Sequence, residues 1–119
     1  MKPIKLIEKL MMATAGSNSL SAEVYRFLVE NERAADLFCW QEDQEYVYPP
    51  LTESLDVSSE TFVEKKMELD IGVKNHTCLV TVSVAGVEVC KVGTAGKDCI
   101  PRAICAAGIS YMLETKEEG

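Results

Sequence analysis

Met67-Glu68-Leu69-Asp70-Ile71-Gly72-Val73-Lys74-Asn75-His76-Thr77-Cys78-Leu79-Val80-Thr81-Val82-Ser83-Val84-Ala85-Gly86-Val87-Glu88-Val89-Cys90-Lys91-Val92 is the stretch that decides the fold. Its apolar residues alternate with polar ones or glycine, the period-two signature of half-buried strands, and its last run is rich in β-branched residues. Two short breaks, Asn75-His76 and Ala85-Gly86, suit two-residue turns. They set a register of Leu69 opposite Val82, Ile71 opposite Val80 and Val73 opposite Cys78, then Val84 opposite Val87 and Val82 opposite Val89. Both pairings select the same face. A slip of one residue would turn every side chain over, so the agreement specifies an antiparallel three-stranded meander. Leu69, Ile71, Val80, Val82 and Val89 are expected to pack on a helix. The outer face carries Glu68, Asp70, Lys74, Thr81, Ser83 and Glu88, interrupted by Leu79, Cys90 and Val92. That face, or the edge of the third strand, could serve a self-complementary homodimer.

With 119 residues the chain reads as a single domain over 1–119, able to bury one core. Hydrophobic residues make up 47% and charged residues 26%, ordinary for a globular chain. No apolar run is long enough for a bilayer and no signal-peptide cleavage site follows the start, so the expected location is the cytoplasm, away from membranes. The formal charge of −7, from 19 acidic and 12 basic residues, argues against nucleic acid, which needs clustered lysine and arginine. The five cysteines Cys39, Cys78, Cys90, Cys99 and Cys105 contain no C-x-x-C pair, and the single histidine, His76, sits in a turn. This reads as buried thiols, with neither metal, cofactor nor disulfide. One histidine beside an inward-pointing Cys78 does not assemble a nucleophile and base, so no enzyme is expected.

Outward from the meander, Pro3 to Ala15 has helical spacing of Ile4, Ile7, Leu10 and Met11, with Leu6 on the flank, and Gly16-Ser17-Asn18-Ser19 ends it. Ser19 is read as the cap of a second helix with Leu20, Val24, Phe27 and Leu28 as its stripe, completing a helical hairpin. Glu30 to Asp36 reads as a polar exit. Phe38 to Pro50 holds the lone tryptophan and two tyrosines: Trp40 and Tyr46 flank an acidic turn, and Pro49-Pro50 forces extended chain. A short helix follows, capped by a hydroxyl residue within Leu51-Thr52-Glu53-Ser54-Leu55-Asp56, turning Leu55, Phe62 and Val63 inward and ending near Lys65-Lys66. Asp98 and Pro101 open a closing alanine-rich helix through Ala103, Ile104, Ala106, Ala107, Ile109, Tyr111 and Met112. Lys116-Glu117-Glu118-Gly119 reads as a solvated tail. The class is α+β, a layered helix-sheet-helix domain.

Two candidate sites emerge. In Lys91-Val92-Gly93-Thr94-Ala95-Gly96-Lys97-Asp98, a glycine link enters a helix, so Thr94, Gly96, Lys97 and Arg102 could bind a phosphate through backbone N–H groups and positive charge, with Lys91 as a further cation. The spacing is not that of a Walker A loop, Pro101 removes a donor, and Asp98 opposes an anion; the plain alternative is a strand-to-helix turn. Trp40, Tyr46 and Tyr48 could stack on a base or anchor a protein, or they could simply seal the sheet edge.

Leu6-Ile7-Glu8-Lys9-Leu10-Met11-Met12-Ala13-Thr14-Ala15-Gly16-Ser17 with Leu20, then Tyr48-Pro49-Pro50-Leu51-Thr52-Glu53-Ser54-Leu55-Asp56, then Ile100-Pro101-Arg102-Ala103-Ile104-Cys105-Ala106-Ala107 occur in an order and spacing that resembles the phage ABA-sandwich domain family across nearly the whole chain. The resemblance implies a helix-sheet-helix fold of phage or prophage origin, in a host cell, without an established catalytic set. Together with the aromatic and glycine-link candidates, it leads to the expectation of a non-catalytic accessory protein that sequesters a host molecule in counter-defence, a nucleotide-derived immune signal being one candidate. An acidic inhibitor that binds a host protein is the alternative; a small hydrolase is a third class.

Overall fold

The computed structural model describes residues 3–33, 37, 40–43 and 45–116. Phe38, Cys39, Gln44 and the tail beyond Lys116 lie outside them. The chain runs α1 (Pro3–Met12), α2 (Asn18–Glu30), β1 (Trp40–Glu42), β2 (Glu45–Val47), α3 (Leu55–Phe62), β3 (Met67–Lys74), β4 (Thr77–Val84), β5 (Val87–Ala95) and α4 (Cys99–Lys116). This is the expected α+β class, with a three-stranded antiparallel sheet in the order β3-β4-β5.

The β3–β4 register is the one read from the sequence: Leu69 faces Val82, Ile71 faces Val80 and Val73 faces Cys78. Positive φ at Asn75, His76, Ala85 and Gly86 makes both turns of the primed type that matches strand twist. The β4–β5 register departs from expectation. Val84 does face Val87, but Val82 faces Cys90, because a bulge leaves Val89 as an extra residue between Glu88 and Cys90. Beyond the bulge the inward set becomes Cys90, Val92 and Thr94, so Cys90 and Val92 are not outer-face residues. Val92 is buried, and Lys91 is turned out to solvent.

The sheet's inner face meets α4, whose residues from Pro101 to Ile109 are all buried. Alanines at 103, 106 and 107 keep the helix slim, and at Gly108 the Phe62 ring lies where a Cβ would stand. α4 packs beneath β4 and β5 on one side and against α1 and α3 on the other. Ile71 is 40% exposed rather than packed on the last helix, since α4 packs chiefly beneath β4 and β5. In α1 the buried residues are Leu6 and Leu10, while Ile4 and Met11 face out. Ser17, not Ser19, caps α2 by accepting from Leu20 N–H at 3.1 Å. Ser54 caps α3 in the same way through Val57 N–H, and Leu55 is exposed, so only Phe62 and the half-buried Val63 point inward as expected. No helix among the described residues is long and apolar enough to cross a membrane.

Arg102 joins these layers. It is fully buried on α4 and donates to four main-chain carbonyls: Leu10 O at 3.1 Å, Ala13 O, Ala95 O, and Lys97 O at 2.8 Å. Leu10 and Ala13 lie at the C-terminal end of α1, where carbonyls lack helical partners and a cation suits the dipole. Ala95 ends β5, and Lys97 lies in the loop to α4. One planar fork thus ties the first helix, the last strand and the loop onto the last helix. Burial lowers the Arg102 pKa from its ordinary value, yet a guanidinium keeps its charge in a protein. Its Nε is the one buried side-chain nitrogen or oxygen among the described residues without a partner. Arg102→Met should cost roughly 3–5 kcal/mol, because it orphans buried carbonyls. The melting temperature should drop by about 10 °C or more by circular dichroism, with Arg102→Lys between the two. A variant melting within about a degree of the parent would remove this role for the fork.

Candidate functional site

The glycine link does not form a phosphate cradle. Gly96 adopts φ +86, and its N–H donates to His76 O at 2.7 Å, while Lys97 N–H donates to Thr14 O at 2.9 Å. A Cβ at Gly96 would collide with Thr14 O, so glycine is required here for close approach of two backbones. Thr94 is buried and its hydroxyl donates to Cys99 O at 2.6 Å. Arg102, read from the sequence as a partner for phosphate, is instead spent on the carbonyls described above. Of the residues assigned to this site, only the side chains of Lys91 and Lys97 reach solvent, and Lys91 lies 3.7 Å from Glu88 Oε1. An anion would find no inward-facing N–H group at Gly96 or Lys97, since both are already donated. The link is a structural strand-to-helix turn.

The three aromatic residues also divide. In the β1–β2 hairpin Trp40 faces Val47 and Gln41 faces Tyr46, and opposed residues share a face while successive ones alternate. Trp40 and Tyr46 therefore point to opposite sides of the ribbon. Tyr46 and Tyr48 have ring centroids 6.4 Å apart, and Tyr48 lies 5.7 Å from Tyr25 of α2. This second side is anchored by Asn18, whose amide donates to Tyr46 O at 3.0 Å and accepts from Tyr48 N–H at 2.9 Å, as a neighbouring strand would. Tyr48 is half-buried and serves to seal the hairpin on α2; Tyr46 is 58% exposed at its rim.

Trp40 stands on the other side, 50% exposed, at a groove of about 590 Å³ shared with Arg33, Leu37, Pro49, Pro50, Val57, Glu60 and Thr61. That volume lies within the range of ligand sites. Its walls follow from local sequence. Pro49-Pro50 cannot continue a helix and holds the chain extended, after which Ser54 N–H and Glu53 N–H return to Pro50 O in a tight turn. The turn is nailed in place by Thr52, fully buried, whose hydroxyl meets Ser21 Oγ at 2.8 Å and donates to Ser17 O at 3.1 Å. α3 then presents Val57, Glu60 and Thr61 at i, i+3 and i+4, which is one helical face. Arg33 is not a free cation: its Nη2 lies 3.1 Å from Glu64 Oε1. The groove thus offers an indole, two prolines and two aliphatic residues, with Glu60 and a neutralised Arg33–Glu64 pair at its rim.

Sequence reasoning found Trp40 but missed Arg33, Leu37, Val57, Glu60 and Thr61. The 57-60-61 spacing was the available signal, obscured by assigning Leu55 to the inner face. Among the described residues no three His, Cys, Asp or Glu side chains converge in a metal-binding group.

Cys78, Cys99 and Cys105 are buried and Cys90 half-buried, all as free thiols; Cys39 lies outside the described residues. The Cys105 thiol donates to Leu51 O at 3.0 Å and the Cys90 thiol to Ala107 O at 3.5 Å. Burial pushes the Cys105 pKa far up, and burial followed by the charges of Glu114 and Glu88 pushes Cys90 up to about 11. These thiols stay protonated in the fold at pH values where the unfolded chain releases them. Their contribution is complete below the ordinary thiol pKa and is lost as pH rises toward 11. The melting temperature should fall between about pH 9 and pH 11. Cys90→Ala should flatten that fall, and a melting profile unchanged across the window would contradict the burial of these thiols.

Comparison of the chain with protein-family models, with curated proteins and with solved structures gives no match.

Proposed function

We propose that this chain is a non-catalytic binding protein that blocks a host protein on behalf of a phage, using the Trp40 groove as its recognition site. The observation that carries the reading is the half-exposed Trp40 on an apolar floor of Leu37, Pro49, Pro50 and Val57. A tryptophan held at a groove with a polar rim is the residue type that concentrates binding energy in protein interfaces. Electrostatics favours a partner segment that brings an apolar side chain flanked by lysine or arginine. Glu60 lines the groove, Arg33 is paired with Glu64, and the chain carries a formal charge of −7. A cation over the indole face would gain further attraction. Phage origin enters from the resemblance in the sequence.

Capture of a nucleotide-like ligand in the same groove is a second reading, supported by the groove's size and by the nearness of an aromatic ring and a guanidinium. It has less electrostatic support, because an incoming phosphate would have to displace Glu64 from Arg33 and sit near Glu60.

Trp40 is the chain's single tryptophan, so its emission reports on this groove alone. Parent and Trp40→Ala proteins used as baits in host lysate should differ in one captured protein. Once purified, that protein should shift Trp40 emission of the parent and lose at least roughly thirtyfold in affinity for the variant, the equivalent of about 2 kcal/mol. The two baits should melt alike, since the indole is half in solvent. Equal capture by both would overturn the reading. A panel of cyclic and linear nucleotides that shifts the emission at micromolar concentrations would replace it with the small-ligand reading.

A further inference from the structure

The three-stranded sheet has two edges that differ in a way that identifies one of them as an interface. β5 carries the bulge at Val89, and such a break twists an edge strand away from regular pairing. β3 pairs with β4 over all eight residues from Met67 to Lys74 without any irregularity, and among the described residues no strand lies on its other side. Its inward-pointing Ile71 and Val73 are 40% and 55% exposed, because α4 packs chiefly beneath β4 and β5. A regular edge with uncovered apolar side chains is a template for another strand.

The phase of the hydrogen bonds can be read from the turn. Lys74 and Thr77 flank the two-residue turn and form its closing, mutually hydrogen-bonded pair. Going back along β3, Gly72, Asp70 and Glu68 therefore aim their backbone groups at β4. Val73, Ile71 and Leu69 aim theirs at the open edge.

We propose that β3 is the interface of a homodimer, in which the β3 strands of two copies pair antiparallel about a two-fold axis at Ile71 and extend the sheet to six strands. The side chains of β3 select this partner and this register. Centred on Ile71, the inward face matches Ile71 with Ile71 and Leu69 with Val73 of the second copy, all through outward-aimed backbone groups. On the outward face Glu68 stands opposite Lys74 of the second copy, and by symmetry this ion pair forms twice. These are non-hydrogen-bonded positions, where opposed side chains come closest. Asp70 meets Gly72, so no like charges oppose one another. Centring on Asp70 would oppose two aspartates, and centring on Leu69 would oppose Glu68 with Asp70. Centring on Gly72 would keep an Asp70–Lys74 pair but set Leu69 against Asn75 in the turn, with fewer apolar matches. A shift by an odd number of residues would set apolar side chains against polar ones.

Sedimentation velocity and native mass spectrometry over a concentration series up to ~100 μM should show a monomer–dimer equilibrium for the parent. Glu68→Lys alone opposes two lysine pairs, and Lys74→Glu alone opposes two glutamate pairs, so each should be monomeric with a parental circular dichroism spectrum; both positions are exposed. Mixing the two single variants should restore a dimer, and specifically a heterodimer, because every opposed pair is again of opposite charge. Ile71→Lys should be monomeric in every mixture. A parent that remains monomeric throughout the series would overturn the proposal. So would single variants that dimerise as the parent does, or a mixture of the two that stays monomeric.

Discussion

A single buried guanidinium sets the relations among the outer parts of this fold. Arg102 reaches carbonyls that come from both ends of the chain, Leu10 and Ala13 near one end and Ala95 and Lys97 near the other. A buried charge is tolerable in an interior only if dipoles replace water around it, and main-chain carbonyls at a helix end are the dipoles at hand. The geometry has a consequence for the neighbouring loop. With Lys97 O committed to Arg102, and the Gly96 and Lys97 N–H groups committed to His76 and Thr14, that loop is filled by its own protein. The same residues that looked able to receive an anion have already received carbonyl oxygens.

The meander was legible because two constraints, turn position and face, agreed over β3 and β4. The sequence lost the thread at Val89 for a physical reason. Period-two counting from Val87 places Val89 inward, but the next inward position is then Lys91, which has no business in a core beneath an alanine-rich helix. A bulge resolves the conflict by turning Lys91 out and Val92 in, where Val92 is buried. The lysine itself was the clue. Helix existence and order were likewise readable, whereas the α2 cap moved from Ser19 to Ser17 and the α3 cap stayed open between Thr52 and Ser54, because all four are chemically able to cap. The choice was made by tertiary contacts. Thr52 is drawn into a buried hydroxyl pair with Ser21, which leaves Ser54 to cap α3.

The proposed recognition surface was only partly legible. Trp40 could be singled out because a lone tryptophan beside a polar turn is conspicuous, but its companions come from α3 and from the segment after α2, which meet it only in the fold. Grouping Trp40 with Tyr46 and Tyr48 failed on strand alternation. The hairpin's register sends the indole to the groove and the phenol rings to α2. What remains for function is a surface divided by role: a tyrosine side that holds the hairpin down and a tryptophan side left open over prolines and one face of a helix.

The glycine link and Arg102 belong to the architecture, which leaves the Trp40 groove as the proposed recognition site. Nuclear magnetic resonance of the Arg102 guanidinium protons tests it most directly, since exchange with water and response to an added anion are read at the same atoms. The expected result is slow exchange of the Nη protons, approaching the protection of the core amides, with no change in their shifts as inorganic phosphate is added. Guanidinium protons that exchange as fast as those of an exposed arginine, or shifts that titrate with phosphate, would contradict it and return the link to the list of ligand sites.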